Sequence, residues 1–194
     1  PSVPFKNYIA WMSRQGEDAV RTYWTGVLEG YSGPFGVSLP SVATTADGAT
    51  PSEVVSFALS PEATTVVQAV AKRHAITVNV LTQSVFALCL HLFSRSDDIL
   101  YGTTVSGRST ANVSGIEGIV GLFINTLPVR SRLDPSGNLF EWMRDLQHQQ
   151  LSMQKYEYSS LALIQQIAGS GREQLFNCIF VYENYPLAKP GQSG

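Results

Sequence analysis

The sequence is short of charge. Asp, Glu, Lys and Arg make up 14% of its 194 residues, where an average soluble domain carries about a quarter. Much of the surface must therefore be uncharged and polar, or covered by something else. The formal net charge is −2, so no basic excess draws the chain to nucleic acid or to an anionic membrane. No apolar run reaches the length of a membrane span. The opening PSVPF lacks the charged start and apolar stretch of a secretion signal. With no initial Met and a loop-like KPGQSG at the end, the chain reads as a piece of something longer.

Cysteine and histidine are scarce too. Cys89 and Cys178 lie in apolar stretches, which favours two buried, reduced thiols over a disulfide. His74, His91 and His148 each lack a neighbouring histidine, cysteine or paired carboxylate at ligand spacing, which argues against a zinc site. No serine occupies a GxSxG elbow. TVSGRST lacks the spacing and the Gly-Lys-Ser/Thr of a phosphate loop. Asn112-Val113-Ser114 fits a glycosylation sequon, without a secretion signal to go with it. Asp97 and Asp98 would diverge on a strand, so a turn before a strand explains them better than an acid/base pair.

What is present is alternation of helix and strand. Helical spacing runs from Phe5 to Gly30 through Tyr8, Trp11, Val20, Trp24 and Leu28. Residues 31–52, rich in Pro, Gly, Ser and Thr, read as one long connection. Glu53 to Leu59 alternates like a strand. Ser60-Pro61-Glu62 then opens a helix whose inner face carries Val66, Val67 and Val70. The next helix, marked by Val78, Leu81, Val85, Leu88 and Leu92, is apolar nearly all round, the pattern of a buried helix.

ILYGTTVSGR, preceded by Asp97-Asp98, reads as a strand, and residues 123–130 as another. Between them lies a glycine-bearing loop with a helical stretch over 116–120. Asn138 and Glu141 form an asparagine version of the capping box, opening a helix with Leu139, Trp142, Met143, Leu146 and Met153 on one face. A shorter helix spans 161–168, and LFNCIFVYE ends the pattern as a strand apolar on both faces, hence central. The fold class is α/β, a mixed sheet flanked by helices.

Two features are left over. Ser106-Gly107-Arg108 stands at a strand end, where sites in α/β folds are often built. On sequence alone an ordinary solvated arginine in a turn accounts for it better. Asn125 and Thr126 interrupt the apolar run VGLFINTLPVR. They face either a ligand or the backbone of a neighbouring loop, because a buried asparagine left unpaired costs about 1–3 kcal/mol.

YGTTVSGR, the loop after it and VGLFINTLPVR together resemble the condensation domains of nonribosomal peptide synthetases. PFKNYIAW (4–11), KYEYSSLALIQQIAG (155–169) and LFNCIFVYENYP (175–186) resemble further motifs of that family, in the family's order. The family's catalytic signature, His-His-x-x-x-Asp-Gly, precedes the PFKNY-like segment, and no His-His pair occurs in this sequence.

The resemblance therefore covers residues 1–194 as the C-terminal subdomain of a condensation domain, without the N-terminal subdomain. It implies a chloramphenicol acetyltransferase-like lobe, one arm of a V with the active site in a tunnel between two lobes. Ser106, Gly107, Arg108, Asn125 and Thr126 are implied to line that tunnel, residues 109–122 to form a floor loop, and the segment after Tyr182 a bridging latch. No catalytic residue and no metal ligand is assigned to this chain.

The implied reaction is amide formation between acyl or peptidyl and aminoacyl thioesters. Both ride on the phosphopantetheine arms of donor and acceptor peptidyl carrier proteins, and no cofactor is bound directly. The implied partners are those carriers and the N-terminal lobe, with no nucleic acid and no membrane, in the cytoplasm. A lobe without its partner is expected to be inactive and to self-associate through its uncovered apolar face. The competing reading is a non-catalytic module that docks carrier proteins or holds neighbouring domains. An acyltransferase completed by oligomerisation ranks below both, because no histidine here sits in a matching motif.

Overall fold

Caps and turn residues set where the helices begin and end. The computed structural model describes residues 3–31, 33–34, 36–37, 53–108, 111, 113–170 and 174–183. The helical spacing over 5–30 resolves into two helices, α1 (Lys6–Met12) and α2 (Glu17–Leu28). At the break the Ser13 hydroxyl donates to the Ala10 carbonyl (3.1 Å) and the Gln15 amide to that of Trp11 (3.0 Å). Side chains thus compete with the backbone for helical acceptors.

Helix α3 (Pro61–Arg73) starts where expected, with the Ala63 N–H donating to Ser60 Oγ at 3.2 Å. In α4 (Val78–Ser94) the Val80 N–H donates to Thr77 Oγ at 3.1 Å. Asn138 Oδ1 accepts from the Phe140 and Glu141 N–H groups and opens α5 (Leu139–Met153). Gly169, at φ +67°, closes α6 (Leu161–Ala168).

The sheet has the order β2-β1-β3. β1 (Asp98–Val105) pairs antiparallel with β2 (Asn125–Arg132), from Asp98 opposite Arg132 to Val105 opposite Asn125. β3 (Ile179–Phe180) runs parallel to β1, so the sheet is mixed, as expected. The core lies between sheet and helices and holds Trp24, Ile99, Tyr101, Leu127, Val129 and Ile164. Gly102, mid-strand, lies against the Phe176 ring, 2.5 Å from where a Cβ would stand. Among the described residues no single helix is long and apolar enough to cross a membrane.

Four readings of the sequence are corrected. LFNCIFVYE is not a central strand: β3 is two residues long, at the sheet edge, with Ile179 and Val181 both half exposed. An apolar run records how hydrophobic a segment is, not how many neighbours it pairs with. Glu53 to Leu59 forms no strand, and Val54, Val55 and Phe57 are more than 80% exposed. Alternation favours a strand only where another edge offers a ladder.

The third correction concerns the helices. α4 buries Val80, Gln83, Ser84, Ala87, Leu90 and His91, while Val85, Leu92 and Phe93 point outward. Two polar members of that inner face, Ser84 and His91, bond internally. The Ser84 hydroxyl donates to the Val80 carbonyl, and His91 bonds through Nδ1 to the Ser96 carbonyl and through Nε2 to Ser131 Oγ. In α3, Ala71 is buried and Val66 exposed. Finally, Cys89 is exposed and Cys178 half-buried, both free, so they are not two buried thiols. Asn112 and most of the 31–52 connection lie outside the described residues.

One ion pair locks the sheet to a helix. Arg130 Nη2 and Nε donate to the two carboxylate oxygens of Asp98, at 2.6 and 2.8 Å. Its Nη1 reaches the carbonyls of Val27 and Glu29 at the end of α2, at 3.0 and 2.8 Å. Removing the acid strands a buried guanidinium. Asp98→Ala is expected to cost about 3 kcal/mol, the lower end for a broken buried pair because Asp98 keeps some water contact, read from urea unfolding.

Burial, and then the neighbouring Tyr156 phenol, pushes the Tyr23 phenol up from 10.0 to about 12. Burial, and then the Asp98 carboxylate, does the same for Tyr31. Both phenols hold their protons more tightly folded than unfolded, so this contribution is intact below pH 10 and is lost as pH rises through about 12. Urea midpoints are expected to fall across that window, and to fall less in Tyr23→Phe.

Candidate functional site

The antiparallel register brings the two leftover sequence features together. Val105 stands opposite Asn125 and Thr104 opposite Thr126, so Ser106-Gly107-Arg108 leaves β1 beside the entry to β2. Gly107 sits at φ +64°, and a Cβ on it would fall 2.1 Å from the Phe123 carbonyl oxygen. Only glycine fits both the turn and the close approach.

Arg108 is occupied rather than solvated. Its Nη1 donates to the Ile116 carbonyl (2.7 Å) and its Nη2 to that of Ile119 (3.1 Å), while its guanidinium lies 3.9 Å over the Phe123 ring. It thereby fastens the stretch that holds the 3₁₀ turn at Ile116–Gly118. Phe123 also packs on Tyr8 (4.5 Å between rings) and on Phe5 (5.2 Å), a second apolar cluster beside the strand ends.

Asn125 spends its amide inside the protein. Nδ2 donates to the carbonyls of Glu157 (2.9 Å) and Ser159 (2.8 Å), and Oδ1 accepts from the Thr126 N–H (2.9 Å). Ser159 is itself fixed, accepting from Trp24 Nε1 at 2.9 Å and donating to the Tyr156 carbonyl at 2.6 Å. The asparagine thus clips the start of β2 to the turn between α5 and α6.

Sequence reasoning missed Glu157. It is 6% exposed, and its Oε2 accepts from the Gly107 N–H at 3.1 Å. The available signal was a carboxylate between two aromatics, Tyr156-Glu157-Tyr158, on a turn of a segment already singled out. Tyr8 lies close by, its phenol raised by burial first and by the Glu157 charge second.

Two cavities meet at Ser106. One, of about 190 Å³, is lined by Asn79, Thr103, Gln150 and Glu157 among others. The other, of about 520 Å³, is lined by Arg108, Glu117 and Leu122 to Ile124. Among the described residues no cluster of His, Cys, Asp or Glu that could hold a metal ion is present. Of the expected floor loop, residues 109, 110 and 112 lie outside the described residues, as does the latch segment beyond 183.

The fold is a small mixed sheet flanked by helices, with a polar strand end opening on a groove. Solved structures share this fold. A four-domain nonribosomal peptide synthetase, holo-AB3403 bound to AMP and glycine, matches 88% of this chain and 13% of its own, with a TM-score of 0.71 at 19% identity. The first condensation domain of the CDA synthetase matches 87% of this chain and 35% of its own, with a TM-score of 0.67 at 17% identity.

The sequence goes further than the fold. The Condensation domain family matches residues 1–193, and the chain belongs to that family. A linear gramicidin synthase of Brevibacillus parabrevis is 37% identical over 195 aligned residues, covering 100% of this chain. The chain spans only 4% of that relative's length.

The Asn125 clip is testable by size-matched substitution. Asn125→Asp keeps the volume but removes both donors, and is expected to destabilise the chain by about 1–3 kcal/mol in urea unfolding. Asn125→Gln, which retains the donors on a longer arm, should lose less.

Proposed function

We propose that the chain forms one wall of the channel in which a condensation domain makes an amide bond. The carrying observation is the family match across residues 1–193, with the polar end of β1 and β2 opening on a groove as its structural counterpart. In this reading the chain is the C-terminal subdomain, since it holds the later family motifs and no His-His pair. The N-terminal subdomain supplies the catalytic histidines.

The reaction joins an aminoacyl group on an acceptor carrier to an acyl or peptidyl group on a donor carrier. The acceptor α-amine attacks the donor thioester carbonyl, the C–N bond forms and the C–S bond breaks. The donor arm leaves as its thiol, and the amine's proton passes through the base to the leaving sulfur. Alignment of two tethered groups carries most of the rate, with one proton acceptor beside them. Ser106, exposed at the mouth of both cavities, is the polar group this wall offers the substrates there, with the half-buried Thr126 assigned beside it on β2. Gly107, Arg108 and Asn125 hold that wall in place. The phosphopantetheine arms arrive with the carriers, as substrate.

Trans-complementation tests this reading. The chain is mixed with the segment of its synthetase bearing His-His-x-x-x-Asp-Gly, and with loaded donor and acceptor carriers. Amide product is expected only when both halves are present. The exposed Val85, Leu92 and Phe93 support self-association of the chain alone, which light scattering should show and the second half should reverse. Product from the chain by itself would overturn the reading. Tight binding of the acceptor carrier without rescue would favour a docking module instead.

A further inference from the structure

Glu157 bonds to both strand ends. Its carboxylate takes the Gly107 N–H where β1 ends, and its backbone carbonyl takes the Asn125 amide where β2 begins. The two neighbours of Gly107, Ser106 and Arg108, line the larger groove. The glycine itself cannot shift toward Phe123, whose carbonyl oxygen already fills the place of a Cβ. The turn is therefore held from two sides, by Phe123 and by Glu157.

A carboxylate at 6% exposure is costly to keep from water. An alanine would fill a turn between helices with none of that cost. A glutamate whose charged group reaches a backbone N–H at the mouth of the groove is a device for fixing position.

We propose that Glu157 is a positioning residue for amide formation, acting through Gly107 to set Ser106 and Arg108 in the substrate groove. It touches neither reacting carbonyl nor amine. Its effect is on the geometry in which the two thioesters meet, where a misplacement of about 1 Å costs on the order of a hundredfold in rate. The inference rests on the function proposed above. It adds a role to a residue that the tunnel-lining set of Ser106, Gly107, Arg108, Asn125 and Thr126 leaves out.

The test uses the synthetase that carries this chain, with loaded donor and acceptor carriers, as wild type, Glu157→Ala and Glu157→Gln. Glu157→Ala is expected to lower condensation turnover roughly ten- to hundredfold, with the acceptor-carrier concentration for half-maximal rate little changed. Glu157→Gln, whose amide oxygen can still accept the Gly107 N–H, is expected to recover a substantial part of the lost turnover. Hydrogen exchange followed by mass spectrometry on the same proteins should show faster exchange in the peptide containing Gly107 in Glu157→Ala, and near wild-type exchange in Glu157→Gln.

Unchanged turnover in Glu157→Ala overturns the proposal, and so does a change confined to carrier affinity. If Glu157→Ala fails to fold, Glu157→Gln decides: turnover as low as with no condensation domain, in a folded protein with wild-type exchange at Gly107, refutes the positioning role. A wild-type synthetase that forms no amide at all refutes the proposed function. In that case the exchange data alone judge whether Glu157 holds the turn.

Discussion

Arg130 fixes the geometry on which the rest of the lobe depends. A guanidinium has five donors and no acceptor, so burying it requires several oxygens in its plane. Asp98 at the start of β1 supplies two, and the carbonyls of Val27 and Glu29 supply the others. Carbonyls at a helix end have no intrahelical partner, so one side chain satisfies the end of α2 while pinning it to the sheet. The same contact sets the β1–β2 register. A slip of one residue would carry Arg130 to the opposite face and leave Asp98 without its partner. Because the register is set there, Val105 meets Asn125 six residues further along β1 than Ile99 meets Ser131. The site at one end of the ladder is thus located by an ion pair at the other.

The site end is built on a different principle. Where the Arg130 end relies on one ion pair, the Asn125 end relies on matched donors and acceptors: the Asn125 amide on two carbonyls, the Trp24 indole on the Ser159 hydroxyl, and the Gly107 N–H on the Glu157 carboxylate. Each bond is worth about 1 kcal/mol net, but each is expensive to leave unmade in a dry place. Such a network has few alternative arrangements, so the two strand ends are held in one geometry. Apolar packing through Phe5, Tyr8 and Phe123 closes its flank.

Local signals were legible in the sequence, and neighbours were not. Ser60 and Asn138 marked helix starts because a cap is decided within four residues. The β1 and β2 strands were readable because β-branched residues and alternation act locally. By contrast, whether LFNCIFVYE is central or edge, whether 53–59 pairs, and which side of α4 faces inward are settled by what lies beside them. Asn125 was recognisable as an exception, and its amide donates to two backbone carbonyls. Glu157 escaped because its role exists only where a turn between helices meets a strand end 50 residues earlier. The family resemblance singled out two segments, Ser106 to Arg108 and Asn125 to Thr126, that the ladder brings together, but geometry was needed to separate the exposed serine from the residues that hold it.

The contact of Gly102 with the Phe176 ring carries a consequence for how this lobe can diversify. The ring occupies the space of a missing side chain, so the two positions are packed as one unit. A lineage that acquires a methyl group at 102 while the phenyl remains loses the stacking of β1 on the segment leading to β3. One that first shrinks the residue at 176 opens a void, which a larger residue at 102 then fills. The path between the two packings therefore has an order, and passes through a loosened sheet before reaching a tight one again.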